Sequence, residues 1–192
     1  MEVNTNLVWL DLEMTGLNPN KDHIIEIAII ITNNNLEIIN KGLNIPIYQS
    51  DNILNLMNIW SKNIHTKNGL IKKVKNSKFN LKKAEIYILT FLKLWIKPNT
   101  SPLCGNSIYK DRIFLFNYMP NLEKYFHYRN IDVSSIKELA KIWYPNVYVN
   151  FQKKNSLHKA SNDIYESINE LKFYKKYIFK KNNIKNILTN KI

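Results

Sequence analysis

The sequence predicts an α/β fold, a mixed β-sheet flanked by α-helices, on three observations. Three apolar or β-branched runs fill the stretch up to residue 46, with only turn residues between them. The apolar spacing then changes from the strand period to the helical one. One short apolar stretch, 101–105, interrupts the helical part, and this alternation of strand and helix signals belongs to a mixed sheet covered by helices.

Residues 7–12, LVWLDL, are a short apolar run with Asp11 near its end. Residues 24–32, IIEIAIIIT, are β-branched enough for a buried central strand. Between them MTGLNPNKD supplies turn residues. A third strand is expected over 36–46, joined through Asn33-Asn34-Asn35 as a hairpin, so the chain opens as an antiparallel meander. Ile53, Leu54, Met57 and Trp60, then Leu70, Ile71 and Val74, then Leu81, Ala84, Ile88, Leu89, Leu92 and Trp95 recur as on amphipathic helices. SPLCG at 101–105 reads as a further strand, and 108–118, 133–143 and 159–177 as three more helices. Neither repeats nor a Pro/Gly/Ser-rich linker divide the chain, so one domain is expected over 1–180, followed by a Lys/Asn-rich tail, 181–192, that frays.

A chain of 192 residues with 45% hydrophobic and 22% charged side chains can bury a core without disulfides. Its single cysteine, Cys104, forms no internal disulfide, and no Cys/His spacing resembles a zinc site; a reducing, cytoplasmic setting is expected. The amino-terminal MEVNTNLVWLDLE lacks the basic start and apolar stretch of a secretory signal. The most apolar run, 24–31, is interrupted by Glu26, so neither export nor membrane passage is expected. The net charge of +13 favours a polyanion such as nucleic acid, although the abundance of Lys, Asn, Ile and Tyr also follows from AT-rich codons. Glycines at 16, 42, 69 and 105 form neither dinucleotide nor P-loop cradles. Gly105-Asn106-Ser107 is no nucleophile elbow, and Cys104 in an apolar strand is a packing residue.

Chemistry concentrates at Asp11-x-Glu13. Side chains two apart on a strand share a face, so two carboxylates sit side by side in the apolar context VWLDLEM. They repel unless a cation lies between them; salt-bridged acids remain an alternative to a divalent metal ion. Hard ions such as Mg²⁺ or Mn²⁺ suit a carboxylate site without cysteine. Spacing alone does not show which of the 15 acidic residues join this pair.

Four segments answer that question by likeness. WLDLEMTGL at 9–17, CGNSIYKDRIFL at 104–115, YFHYRNIDVSSIKELA at 125–140 and HKASNDI at 158–164 together resemble the oligoribonucleases, 3′-to-5′ exonucleases of the DEDDh type with a ribonuclease-H-like fold. The likeness runs collinearly from about residue 6 to about residue 179 and takes in HIIEIA, QSD, HTKNGL and FLKLW. It implies four metal-binding acids, Asp11, Glu13, Asp111 and Asp163, with His158 as general base in the His-x4-Asp spacing of that subclass. It also implies two divalent ions, Mg²⁺ or Mn²⁺: Asp11 bridging both, Glu13 and Asp163 on one, Asp111 on the other. His158 would take the proton from the attacking water, a task suited to a side chain titrating near neutrality. Taken singly, His158, Asp111 and Asp163 would pass as ordinary surface or helix-end residues.

The same resemblance implies that Leu17 and Trp60 pack on the bases, although Trp60 alone also suits a helix core. Ser107, Arg129 and Ser134 would enclose a 5′-phosphate, and His65 and Tyr128 would touch substrate. Such enclosure favours very short single-stranded RNA, especially dinucleotides. Tyr128 and Arg129 would act across the interface of a symmetric homodimer. The chain departs from the family at Tyr109 and Lys110, where Gly and Gln are expected, over 144–156, and after Lys180. Two rival readings stand at this point, another DEDDh exonuclease lacking the phosphate enclosure and a basic RNA-binding module with an inactive site.

Overall fold

The computed structural model describes residues 6–151 and 160–179, which form five strands and nine helices. Strands β1 (Leu7–Met14), β2 (Ile24–Thr32) and β3 (Ile38–Pro46) make the antiparallel meander. Helices α1 (Asp51–Asn55), α2 (Ile59–Lys67), α3 (Leu70–Lys75) and α4 (Leu81–Leu92) follow. Then come β4 (Leu103–Gly105), α5 (Tyr109–Tyr118), α6 (Pro120–Tyr125), β5 (Asn130–Asp132), α7 (Val133–Trp143), α8 (Pro145–Asn150) and α9 (Ala160–Tyr177). The sheet order is β3-β2-β1-β4-β5, with β4 and β5 parallel to β1. This is the mixed sheet expected of a ribonuclease-H-like fold.

Every residue of β2 is buried, because it lies inside the sheet with helices over both faces. Strand alternation divides the core in two. Val8, Leu10, Leu12, Ile27, Ile29 and Ile31 face α4, α5 and α6 through Ile88, Leu92, Phe114, Leu115 and Leu122. Leu7, Trp9, Ala28, Ile30 and Cys104 face α7 and α9 through Val133, Ala140, Ile164, Ile168 and Tyr174. Burying the Cys104 thiol raises its pKa, in keeping with a packing role.

The structure departs from the sequence reading in definable places. β1 runs two residues past Leu12, so it carries Glu13 as well as Asp11. β3 begins at Ile38 because Leu36, at φ +68, closes the turn and donates its N–H to the Asn33 carbonyl. The apolar set Ile53 to Trp60 is split between two helices, since Asn58 caps α2 by accepting from the Ser61 N–H. β5, α6 and α8 were not anticipated. Among the described residues no helix is long and apolar enough to cross a membrane.

Candidate active site

Strand parity places the first two acids. Val8, Leu10 and Leu12 point toward α4–α6, so Asp11 and Glu13 point to the opposite face with Leu7 and Trp9. That face meets α9, which buries Ile164 and Ile168 against it and carries Asp163 in its first turn. Ligand atoms of Asp11, Glu13 and Asp163 consequently lie within 4.8 Å of one another.

Asp111 arrives from the first turn of α5 and is buried. β4 pairs with β1 only at Val8 and Trp9, so β1 extends past the end of β4 with backbone donors that strand cannot take. One of them, Leu12 N–H, donates to Asp111 Oδ1 at 2.9 Å. Gly105 permits this crossing, since a Cβ there would lie 2.9 Å from both the Leu10 carbonyl oxygen and Ile108 Cδ1.

Burial pushes Asp11 well above the usual carboxylate range, and the charges of Asp111, Glu13, Asp163 and Glu26 push it further. Burial, then Asp163, Glu26 and Asp111, raise Glu13 to about 8. Asp111 is raised by burial to about 7 against the lowering effect of its Leu12 hydrogen bond. Carboxyl groups so placed lose their charge or gather a cation between them. Oxygen-only donors fit a hard divalent ion such as Mg²⁺ or Mn²⁺. Glu26 was overlooked in the sequence: it sits opposite Glu13 in the β1–β2 register and is buried. Its one legible signal was a lone acid in an otherwise apolar run.

His65, in the last turn of α2, is buried with Nε2 3.8 Å from Glu13 Oε2. A cleft of about 220 Å³ opens there, lined by Leu12, Glu13, Gly16, Leu17, Trp60 and His65. Leu17 is 71% and Trp60 64% exposed, which excludes Trp60 from the helix core. The loop bearing Leu17 is held by Asp22, which accepts from Thr15 Oγ1 at 3.0 Å and Asn18 N–H at 2.8 Å. A larger cleft of about 450 Å³, lined by Asn6, Lys93, Trp95 and Thr100, lies at the other end of β1 from these acids.

Ser107 and Ser134 meet where β4 and β5 end. Ser107, at φ +50, donates its N–H to Asp132 Oδ1 at 2.9 Å and to Ser134 Oγ at 3.0 Å. Its hydroxyl donates to Ser134 Oγ at 3.1 Å. Asp132 also caps α7 through the Ser134 N–H at 2.9 Å, so the pair stands at a helix N-terminus, a favourable place for an anion. Tyr128 and Arg129 lie elsewhere. Arg129 stacks its guanidinium on the Tyr128 ring at 5.3 Å. Asp132 is level with Gly105 in the sheet. Arg129 therefore sits three residues back, ~10 Å toward the opposite end.

Arg112 is a second residue the sequence did not disclose. It pairs with Glu123 (Nε to Oε1, 2.8 Å) and donates to the carbonyls of Tyr128 (3.1 Å) and His127 (3.0 Å) and to Asn130 Oδ1 (2.7 Å). It fastens the helix that bears Asp111 to the segment that bears Tyr128 and Arg129. His158 lies outside the described residues, as do the Lys/Asn-rich residues 181–192.

Comparison with known proteins gives the family. An exonuclease family model, RNase_T, matches residues 8–171. Oligoribonuclease of Buchnera aphidicola subsp. Acyrthosiphon pisum is 56% identical over 181 residues, 94% of this chain and 98% of the relative. That of Haemophilus ducreyi is 51% identical over 177 residues, 92% of this chain and 96% of the relative. Among solved structures, the zinc-bound complex of E. coli exonuclease I with single-stranded DNA matches with a TM-score of 0.73 at 15% identity. The match covers 97% of this chain but only 43% of exonuclease I, so the chain spans less than half of that protein.

Proposed function

The chain belongs to the oligoribonuclease family and is a hydrolytic exoribonuclease, and from that premise we propose that it degrades the shortest RNAs, dinucleotides above all, from the 3′ end to 5′-mononucleotides. One observation carries the reading: the convergence of Asp11, Glu13 and Asp163 within 4.8 Å, with Asp111 packed against the same strand.

Two divalent ions, Mg²⁺ or Mn²⁺, would supply neutralisation of charge at the attacking and leaving oxygens of an in-line displacement. Asp11, Glu13 and Asp163 would hold one, with Asp11 shared between the two, and Asp111 would serve the second; the proximity of the first three and the Leu12 N–H bond to Asp111 support this. His158 accepts the proton of the attacking water. The new bond joins water oxygen to phosphorus; the bond to the 3′-oxygen breaks, leaving a 5′-mononucleotide and a shortened chain.

Leu17 and Trp60 offer exposed apolar faces on which bases stack without sequence preference, and His65 lines the same cleft. Ser107 and Ser134 receive the 5′-phosphate at the N-terminus of α7. Enclosing that phosphate leaves no room for further 5′ nucleotides, hence the short substrate. Tyr128 and Arg129 complete the enclosure from the second subunit of a homodimer. Support for the dimer comes from the exposed apolar side chains Tyr109, Ile113 and Phe116 on the outer face of α5 beside Arg112 and Asn130.

The test uses purified protein stripped with a chelator. Added Mn²⁺ should restore cleavage of a 5′-phosphorylated RNA dinucleotide, and Asp11→Ala should abolish it. An uncut dinucleotide, or equal preference for a long single strand, sinks the proposal. Sedimentation should show a dimer; a fully active monomer would refute the role of Tyr128 and Arg129 across an interface.

A further inference from the structure

We infer that Asn106 is the positioning residue of the 5′-phosphate pocket, setting the Ser134 hydroxyl, and through it Ser107, from a buried carboxylate behind them. The inference rests on the reading of Ser107 and Ser134 as the wall of the 5′-phosphate pocket.

The hydrogen bonds form a directed chain. Glu170, 1% exposed, accepts on Oε1 from Tyr174 OH at 3.0 Å and from Lys137 Nζ at 3.0 Å. Its Oε2 faces Asn106 Nδ2 at 3.4 Å. Ser167 Oγ gives its proton to the Asp163 carbonyl at 2.9 Å, so toward Asn106 Nδ2, also at 2.9 Å, it acts as acceptor. Two acceptors on the α9 side require the amino end of the Asn106 amide there, and the amide oxygen must face the other way. Asn106 Oδ1 accordingly accepts the Ser134 hydroxyl at 3.3 Å.

With its proton committed to Asn106, Ser134 Oγ turns its lone pairs to Ser107 and takes both the N–H at 3.0 Å and the hydroxyl at 3.1 Å. The Ser107 hydroxyl is then the group that swings to an arriving phosphate, while Ser134 stays where Asn106 holds it. Only a neutral amide of this size gives a donor to a carboxylate and an acceptor to a hydroxyl at once. Aspartate would set a second anion against Glu170, and an apolar residue would leave buried oxygens without partners.

The experiment compares KM and kcat for 5′-phosphorylated and 5′-hydroxyl RNA dinucleotides with Mn²⁺ in the wild type, Asn106→Ala, Asn106→Asp and Ser134→Ala. Asn106→Ala should raise KM for the phosphorylated substrate about tenfold, the scale of one lost hydrogen bond, with both kcat values and the other KM within about twofold. Asn106→Asp should erode the phosphate preference further. If Ser134→Ala leaves the preference intact, the phosphate pocket itself is wrongly placed and the inference falls with it. If Ser134→Ala removes the preference and Asn106→Ala does not, the positioning role alone is overturned. Equal loss on both substrates through kcat also overturns it, because that pattern marks a merely loosened α9 and a displaced Asp163. Should Asn106→Ala fail to fold in a melting experiment, Glu170→Gln, which has the same shape, must narrow the same ratio.

Discussion

Removing divalent metal should make this protein less stable as the solution becomes more alkaline, the reverse of what carboxylates usually do. Glu13 is raised from the ordinary 4.5 to about 8, mainly by burial and then by the charge of Asp163. Between those values the fold binds the Glu13 proton more tightly than the unfolded chain does. The stabilisation is complete below pH 4.5 and lost as pH climbs through about 8. At 1.36 kcal/mol per pH unit, a rise from 4.5 to about 8 is worth about 5 kcal/mol. Asp111, raised to about 7, adds less than its own shift suggests, because protonating one acid relieves its neighbours. For a domain of this size about 5 kcal/mol corresponds to roughly 10 °C in melting temperature. The assay is thermal unfolding in chelator from pH 5 to pH 8, with Glu13→Gln beside the wild type to cancel every pH effect that does not pass through Glu13. The metal-free wild type should lose stability relative to the variant as pH rises, and Mn²⁺ at pH 8 should restore it by binding the folded state. A wild-type curve that stays parallel to the variant, or gains on it, refutes the account of the acid cluster.

Other expectations concern single side chains. Trp60→Ala should leave stability within about 0.5 kcal/mol, since Trp60 is 64% exposed, yet raise KM for a dinucleotide about tenfold, as loss of a stacking face would. Arg112→Ala should cost about 2–4 kcal/mol in urea unfolding by stranding Glu123 and the carbonyls of His127 and Tyr128, and Arg112→Lys should recover little of it. Gly42→Ala should cost about 3 kcal/mol or more in the same assay, because Gly42 has φ +71 and a Cβ would approach the Ile29 carbonyl oxygen at 1.6 Å.

What the sequence disclosed follows from how local each signal is. β2 was legible to the residue, because nine consecutive buried positions leave a β-branched and apolar run broken only by Glu26. α7 was legible because Asp132 caps it and its apolar face is periodic. β5 was not: Asn130-Ile131-Asp132 has no strand pattern of its own and is extended only by pairing with β4. α6 and α8 begin at Pro120 and Pro145, a first-turn signal that was passed over. Asp11 and Glu13 could be paired by strand period alone, whereas Asp111 and Asp163 reach them through packing distant in sequence, and only resemblance singled them out. Glu26 and Arg112 show the limit most plainly, since their partners are set by strand register and by a helix contact that no local pattern encodes.

The protrusion of β1 past β4 also bears on the order of assembly. An amino-terminal portion of the chain that has completed the meander already carries Asp11 and Glu13, yet its Leu12 N–H gains its carboxylate only when α5 docks. Asp163 joins later still, on the last described helix. Such a partly made chain holds two of its acids in place without the others, so the acid cluster is complete only once α9 has packed against the sheet.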